Sequence, residues 1–224
     1  MEKHSHTLRA VLFDMDGTLI DTERIGAASW DHAGADIGVV VPDSLKRDMV
    51  GRNMNDIQAL VEKHMAGTDT NGLVDRANHH YHRLIQEAPP PVKSGARELL
   101  EALRDLNVPM ALATSSRHAQ AEDKLGRTGL REFFQVIVAG DQVDRGKPDP
   151  EIFQTAAERL GVHARECAVF EDSGPGIEAA ERSGALAVFV PESWPPDPAQ
   201  ALFAHEVFPD LNRAAACLLP LFAR

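Results

Sequence analysis

The sequence predicts a doubly wound α/β fold built on a parallel sheet, and three observations lead there. Short, continuous apolar runs bounded by turn residues read as buried strands: AVLF (10–13), PMALAT (109–114), QVIVAG (135–140), CAVFE (167–171) and LAVFV (186–190). Stretches with helical period separate most of them, which is the rhythm of parallel crossover units. One long segment after the first strand, from about Thr22 to Pro89, breaks this rhythm with helical patterns and no convincing strand. It reads as a small helical domain inserted into the sheet domain.

The elements follow in order. MEKHSHTLRA is polar, with His4 and His6 expected at a loose end, and leads into the strand ending at Phe13. Within the insertion, MNDIQALVEKHMAG (54–67) is helical with Asn53 or Asn55 as its cap, as is GLVDRANHHYHRLIQE (72–87). EAPPPVKSG is a proline-rich return to the sheet. The division is therefore a core of residues 1–21 and 90–224 and a helical domain of residues 22–89. A unit tethered by two crossings is suited to open and close over the carboxyl edge of the sheet. Next, SGARELLEALRDLN (94–107) has Ser94 as a cap, with Leu99, Leu100 and Leu103 on one face. PEIFQTAAERLG (150–161) opens with proline and closes with glycine, and GIEAAERSG (176–184) is shorter. A last short strand near Val207 and a helix from Asp210 complete the chain. Phe13 and Trp30 read as core residues.

Composition narrows the function classes. The chain has 224 residues, 43% apolar and 25% charged, which suits a globular protein with a sizeable core. It has no apolar run long enough for a membrane span and no secretory h-region, so a cytoplasmic location is expected. Its two cysteines, Cys167 and Cys217, read as reduced thiols. A formal net charge of -11 argues against nucleic-acid backbones and anionic membranes as partners. A small phosphorylated ligand remains compatible, because a divalent cation and a few basic groups reverse the local potential.

Ligands of open parallel sheets lie beyond the carboxyl ends of the strands. The first strand ends in Asp14-Met15-Asp16-Gly17-Thr18. Two carboxylates this close repel, so one can be held protonated while the other serves as nucleophile or metal ligand. Gly17 and Thr18 allow a sharp turn that would present backbone N–H groups to an anion. A bare DxD also occurs in solvated Asx turns, but FDMDGTLIDTE is far more specific.

FDMDGTLIDTE resembles the first signature of the haloacid dehalogenase-like hydrolases, and three further signatures follow in order: Thr114 ending PMALATSS, Lys147 in RGKPDPEIF, and Glu171-Asp172 in VFEDSGPGIEAA. The resemblance spans residues 11 to about 190. It implies a Rossmann-like core with a small helical cap, similar to the subgroup of β-phosphoglucomutase and of sugar-phosphate and pseudouridine-5'-phosphate phosphatases. It also implies Mg²⁺ as cofactor, held by Asp14, the Asp16 carbonyl, Asp172 and Glu171. Asp14 would attack phosphorus, Asp16 would act as acid and then base, Thr114 would bond the phosphoryl oxygens, and Lys147 would neutralise the transferring group. Ser115 and Ser116, with Arg117 and His118, either cradle the phosphate at a helix start or form a solvated helix N-terminus. Relatives that cleave carbon–halogen bonds lack the second aspartate, so Asp16 favours phosphate esters.

The resemblance also separates hydrolase from mutase. Mutase-like members carry a hinge histidine, where this chain has Gly26, and a cap arginine, where it has Met54. Arg52 and Asn53, in MVGRNMND, are the candidates for recognising the leaving group. The expectation is a monomeric phosphatase of small phosphorylated metabolites. A phosphomutase, or an inactive sensor of a phosphorylated ligand, is the alternative. HHYH (79–82) invites a zinc reading, but His79 and His82 share a helical face without His80 and no carboxylate stands at suitable spacing, so a solvated helix is expected.

Overall fold

A computed structural model describes residues 7–49, 54–192 and 194–222. The chain forms two compact units, Met1–Ile20 with Pro91–Arg224, and Asp21–Pro90. The first carries a six-stranded, all-parallel sheet: β1 (Ala10–Phe13), β2 (Met110–Thr114), β3 (Val136–Ala139), β4 (Cys167–Glu171), β5 (Leu186–Phe189) and β6 (Glu206–Val207). Their order is β3-β2-β1-β4-β5-β6, so the winding reverses between β1 and β4. That reversal leaves a crevice at the strand ends and explains why reactive residues gather there.

Apolar strands are required because both faces are covered. Val11, Phe13, Leu112 and Phe170 face one layer, with Leu99, Leu100 and Leu103 of the helix Ala96–Asp105, Leu125 of His118–Thr128, and Leu211 of Leu211–Leu218. Phe13 stacks on Phe170 with ring centroids 5.0 Å apart. The alternate residues Ala10, Leu12, Ala113 and Val169 meet Ile152 and Phe153 of Glu151–Arg159, and Ile177 of Gly174–Arg182. The helix expected from Ser94 is capped one residue later: Gly95 adopts the left-handed conformation, φ 82°, and makes no side-chain cap bond. Asp210 does cap the final helix, accepting from the Arg213 N–H at 2.8 Å.

The regular elements among the described residues of the second unit are all helices: α1 (Thr22–Asp36), α2 (Asp43–Met49), α3 (Met54–His64) and α4 (Thr70–Glu87). The sequence did not delimit the first two. Asp21 and Asp69 cap α1 and α4 by accepting from N–H groups three residues on. Trp30, Ala33, Leu45, Val61, Leu73 and Ala77 form the centre of its own apolar cluster.

Candidate active site

The nucleophile candidate, Asp14, follows the last residue of β1, and its N–H donates to the Phe170 carbonyl at 3.0 Å. The edge of the sheet thus holds it against the end of β4. Lys147 reaches the same point from the loop before Glu151–Arg159. Its ammonium donates to Asp14 Oδ1 at 2.5 Å, to Glu171 Oε1 at 2.6 Å and to the Ala113 carbonyl at 3.1 Å. A lysine has three donors, and all three are satisfied in a site that leaves 6% of its side chain exposed. Burial pushes the Asp14 carboxyl up to about 7, with Lys147 pulling the other way. Burial also opposes the charge of Lys147, but Asp14 and Glu171 outweigh it and hold the ammonium above its usual range.

Glu171 and Asp172 are fixed differently. Glu171 Oε2 accepts from the N–H groups of Asp172 and Ser173 and from the Ser173 hydroxyl, each at 3.0 Å. A Cβ on Gly176 would overlap this carboxylate, so the first turn of the helix Gly174–Arg182 must carry glycine there. Asp172 Oδ1 accepts from the Thr18 hydroxyl at 2.9 Å. Gly17, at φ 92°, passes so close that a Cβ would overlap the Asp172 carboxylate. One oxygen from each of Asp14, Glu171 and Asp172 can lie within 4.8 Å of the other two. Such a set of hard oxygen donors fits a divalent cation.

The sequence-predicted residues divide into those that meet here and those engaged otherwise. Asp14, Lys147, Glu171 and Asp172 form one cluster, with Thr18 attached to it. Thr114, buried at the end of β2, accepts from the Ser116 N–H at 3.1 Å. The Gly17 N–H does not face an anion: it donates to the Ile20 carbonyl and closes the turn. Ser115 is exposed, and the His118 N–H is taken by Asp141 Oδ1 at 2.9 Å. Arg52 and Asn53 lie outside the described residues. In the helical unit, His80 is paired rather than solvated: Asp36 lies 2.7 Å from its Nε2 and His32 stacks on its ring. Sequence spacing hid that carboxylate because it comes from α1.

One buried residue, paired with Asp16, escaped the sequence reading. Lys124, in the helix His118–Thr128, donates to Asp16 Oδ1 at 2.6 Å while the Ser116 hydroxyl donates to Asp16 Oδ2 at 2.7 Å. A lysine in a helix ordinarily reads as solvated. The available signal was its place on the buried stripe with Ala121 and Leu125, at helical spacing.

The family model of the haloacid dehalogenase-like hydrolases matches residues 8–184. The chain belongs to that family. It is 35% identical over 182 residues to a phosphorylated carbohydrates phosphatase of Thermotoga maritima, covering 79% of this chain and 82% of the relative. It is 31% identical over 195 residues to β-phosphoglucomutase of Bacillus subtilis, covering 84% and 85%. Among solved structures, a family hydrolase of Deinococcus radiodurans with bound phosphate and sodium superposes with a TM-score of 0.82 at 28% identity, covering 97% of this chain and 98% of that one.

Proposed function

We propose that this member of the family is a Mg²⁺-dependent phosphatase of small phosphorylated metabolites, of the sugar-phosphate or nucleoside-phosphate class. The observation that carries the reading is the buried Asp14–Lys147–Glu171 set at the end of β1, beside Asp172. Asp14, Asp172 and the Asp16 carbonyl, with Glu171, would hold the ion. When bound, Mg²⁺ cancels phosphate charge that would otherwise repel a carboxylate. Asp14 attacks phosphorus as the bond to the leaving oxygen breaks, giving an aspartyl-phosphate, and Asp16 supplies the proton to that oxygen. Water then attacks phosphorus and releases Asp14, giving its proton to Asp16. Lys147 orients Asp14 and balances its charge, and Thr114 bonds the phosphoryl oxygens. The likeness to a carbohydrate phosphatase supports the substrate class, and the helical unit, with Arg52 and Asn53, is the proposed reader of the leaving group.

The likeness to β-phosphoglucomutase favours a second reading, isomerisation of a sugar phosphate. Gly26, where that reading expects a histidine, has open space where a side chain would stand, yet the chain supplies none. Phosphate release from a panel of sugar and nucleoside monophosphates, with Mg²⁺, with EDTA, and with Asp14→Asn, tests the proposal. Metal-dependent release abolished by the substitution supports it. Isomerisation without release overturns it in favour of the mutase.

A further inference from the structure

We propose that Lys124 is a positioning residue for Asp16, holding its carboxylate oriented to accept the proton of the water that hydrolyses the aspartyl-phosphate. This rests on the reading of Asp16 as the acid and base of the reaction. Lys124 stands among the buried positions of its helix, between Ala121 and Leu125, with 8% of its side chain exposed. Burying an ammonium is costly unless it is paired, and Asp16 is the carboxylate that pairs it. Lys147 is committed to Asp14 and Glu171, so the two lysines divide the carboxylates of the site between them. Lys124 on Oδ1 and Ser116 on Oδ2 clamp both oxygens of Asp16. Each oxygen keeps a further lone pair for a proton.

In the step concerned, the water oxygen bonds phosphorus, the bond from Asp14 to phosphorus breaks, and the water proton passes to Asp16. A misaligned Asp16 slows this step while leaving formation of the aspartyl-phosphate intact when the leaving group needs no proton. The probe is p-nitrophenyl phosphate, whose leaving group departs without acid assistance.

The experiment compares wild type, Lys124→Met and Asp16→Asn for kcat, for kcat/KM, and by intact-protein mass for a phosphoryl adduct during turnover. Lys124→Met is expected to lower kcat by about tenfold or more, within the range general-base assistance supplies, with kcat/KM changed less than about threefold. The adduct should accumulate, and the double variant should lose little beyond Asp16→Asn. A merely structural lysine would lower kcat and kcat/KM together without adduct, and that result overturns the inference. If Asp16→Asn accumulates adduct and Lys124→Met does not, this inference alone fails. If neither does, the reading of Asp16 fails with it. Lys124→Gln, which keeps a donor but not the charge, gives the same comparison should Lys124→Met not fold.

Discussion

The two units treat charge in opposite ways. Among the described residues, the buried charged groups are Asp14, Lys124 and Glu171, together with the side chain of Lys147, and every one belongs to the sheet unit, in the Asp14–Lys147–Glu171 set or, for Lys124, against Asp16. In the helical unit each of these ion pairs keeps its carboxylate in solvent: Lys46, itself largely covered, joins Asp31 and Asp43, whose side chains are 61% and 80% exposed, His80 joins the exposed side chain of Asp36, and Arg83 joins Glu87 one turn on. Among its described residues the buried polar ones are the neutral Thr22 and Ser29. Burying charge destabilises unless each group is paired and hydrogen-bonded, so a fold retains it where chemistry uses it. Pairs with a solvated partner contribute little to stability.

This contrast can be broken experimentally, beginning with the largest effect. Asp14→Asn should lower phosphate release at least ~10³-fold, because loss of a nucleophile leaves only the residual catalysis of binding groups. A retained rate would show that the buried cluster is not the reactive centre. Lys147→Met should cost ~3–5 kcal/mol in urea unfolding, since Asp14 and Glu171 would remain buried without their cation. An unchanged midpoint would mean that water enters and relieves the pair.

Cysteines sharpen the same distinction within the sheet unit. Burial pushes the Cys167 thiol up to about 12, with Glu166 adding to the shift, whereas Cys217 is exposed. The native protein should therefore give one fast-reacting thiol with a disulfide reagent at pH 8, and the denatured protein two. Above the ordinary thiol value of 9.0 the unfolded chain ionises Cys167 while the folded chain does not. Stability from this group is thus full below that pH and declines as pH rises towards about 12. The smallest effect belongs to the helical unit. Lys46→Ala should cost less than ~1 kcal/mol despite removing two ion pairs, because Asp31 and Asp43 remain solvated. A cost near that of Lys147→Met would erase the contrast.

Much of the site was legible because local chemistry and topology point to the same places. A doubly wound sheet sends every strand end to one edge, so Asp14, Thr114 and Glu171-Asp172 could be assigned there from the strands AVLF, PMALAT and CAVFE. Lys147 was legible only through its motif, since its loop has no period to read. Side-chain partnerships were not legible. Gly17 looked like an anion binder through its N–H, yet that N–H closes a turn, and nothing in the sequence announced that the Thr18 hydroxyl engages Asp172. The pairing of His80 with Asp36 joins α4 to α1 across 44 residues, a separation no helical spacing reveals.

What the sequence determined by itself is the set of elements and the reactive residues at their ends, because apolar runs, glycines, caps and the DxD turn are local consequences of sterics and burial. What only the tertiary structure decided is which charge faces which. Lys124 sits 108 residues from Asp16, and Lys147 sits 133 residues from Asp14. An ammonium and a carboxylate carry no record in sequence of a partner that far away. They meet because the packing of helices on the sheet takes each ammonium out of solvent and brings it against a carboxylate at the same sheet edge.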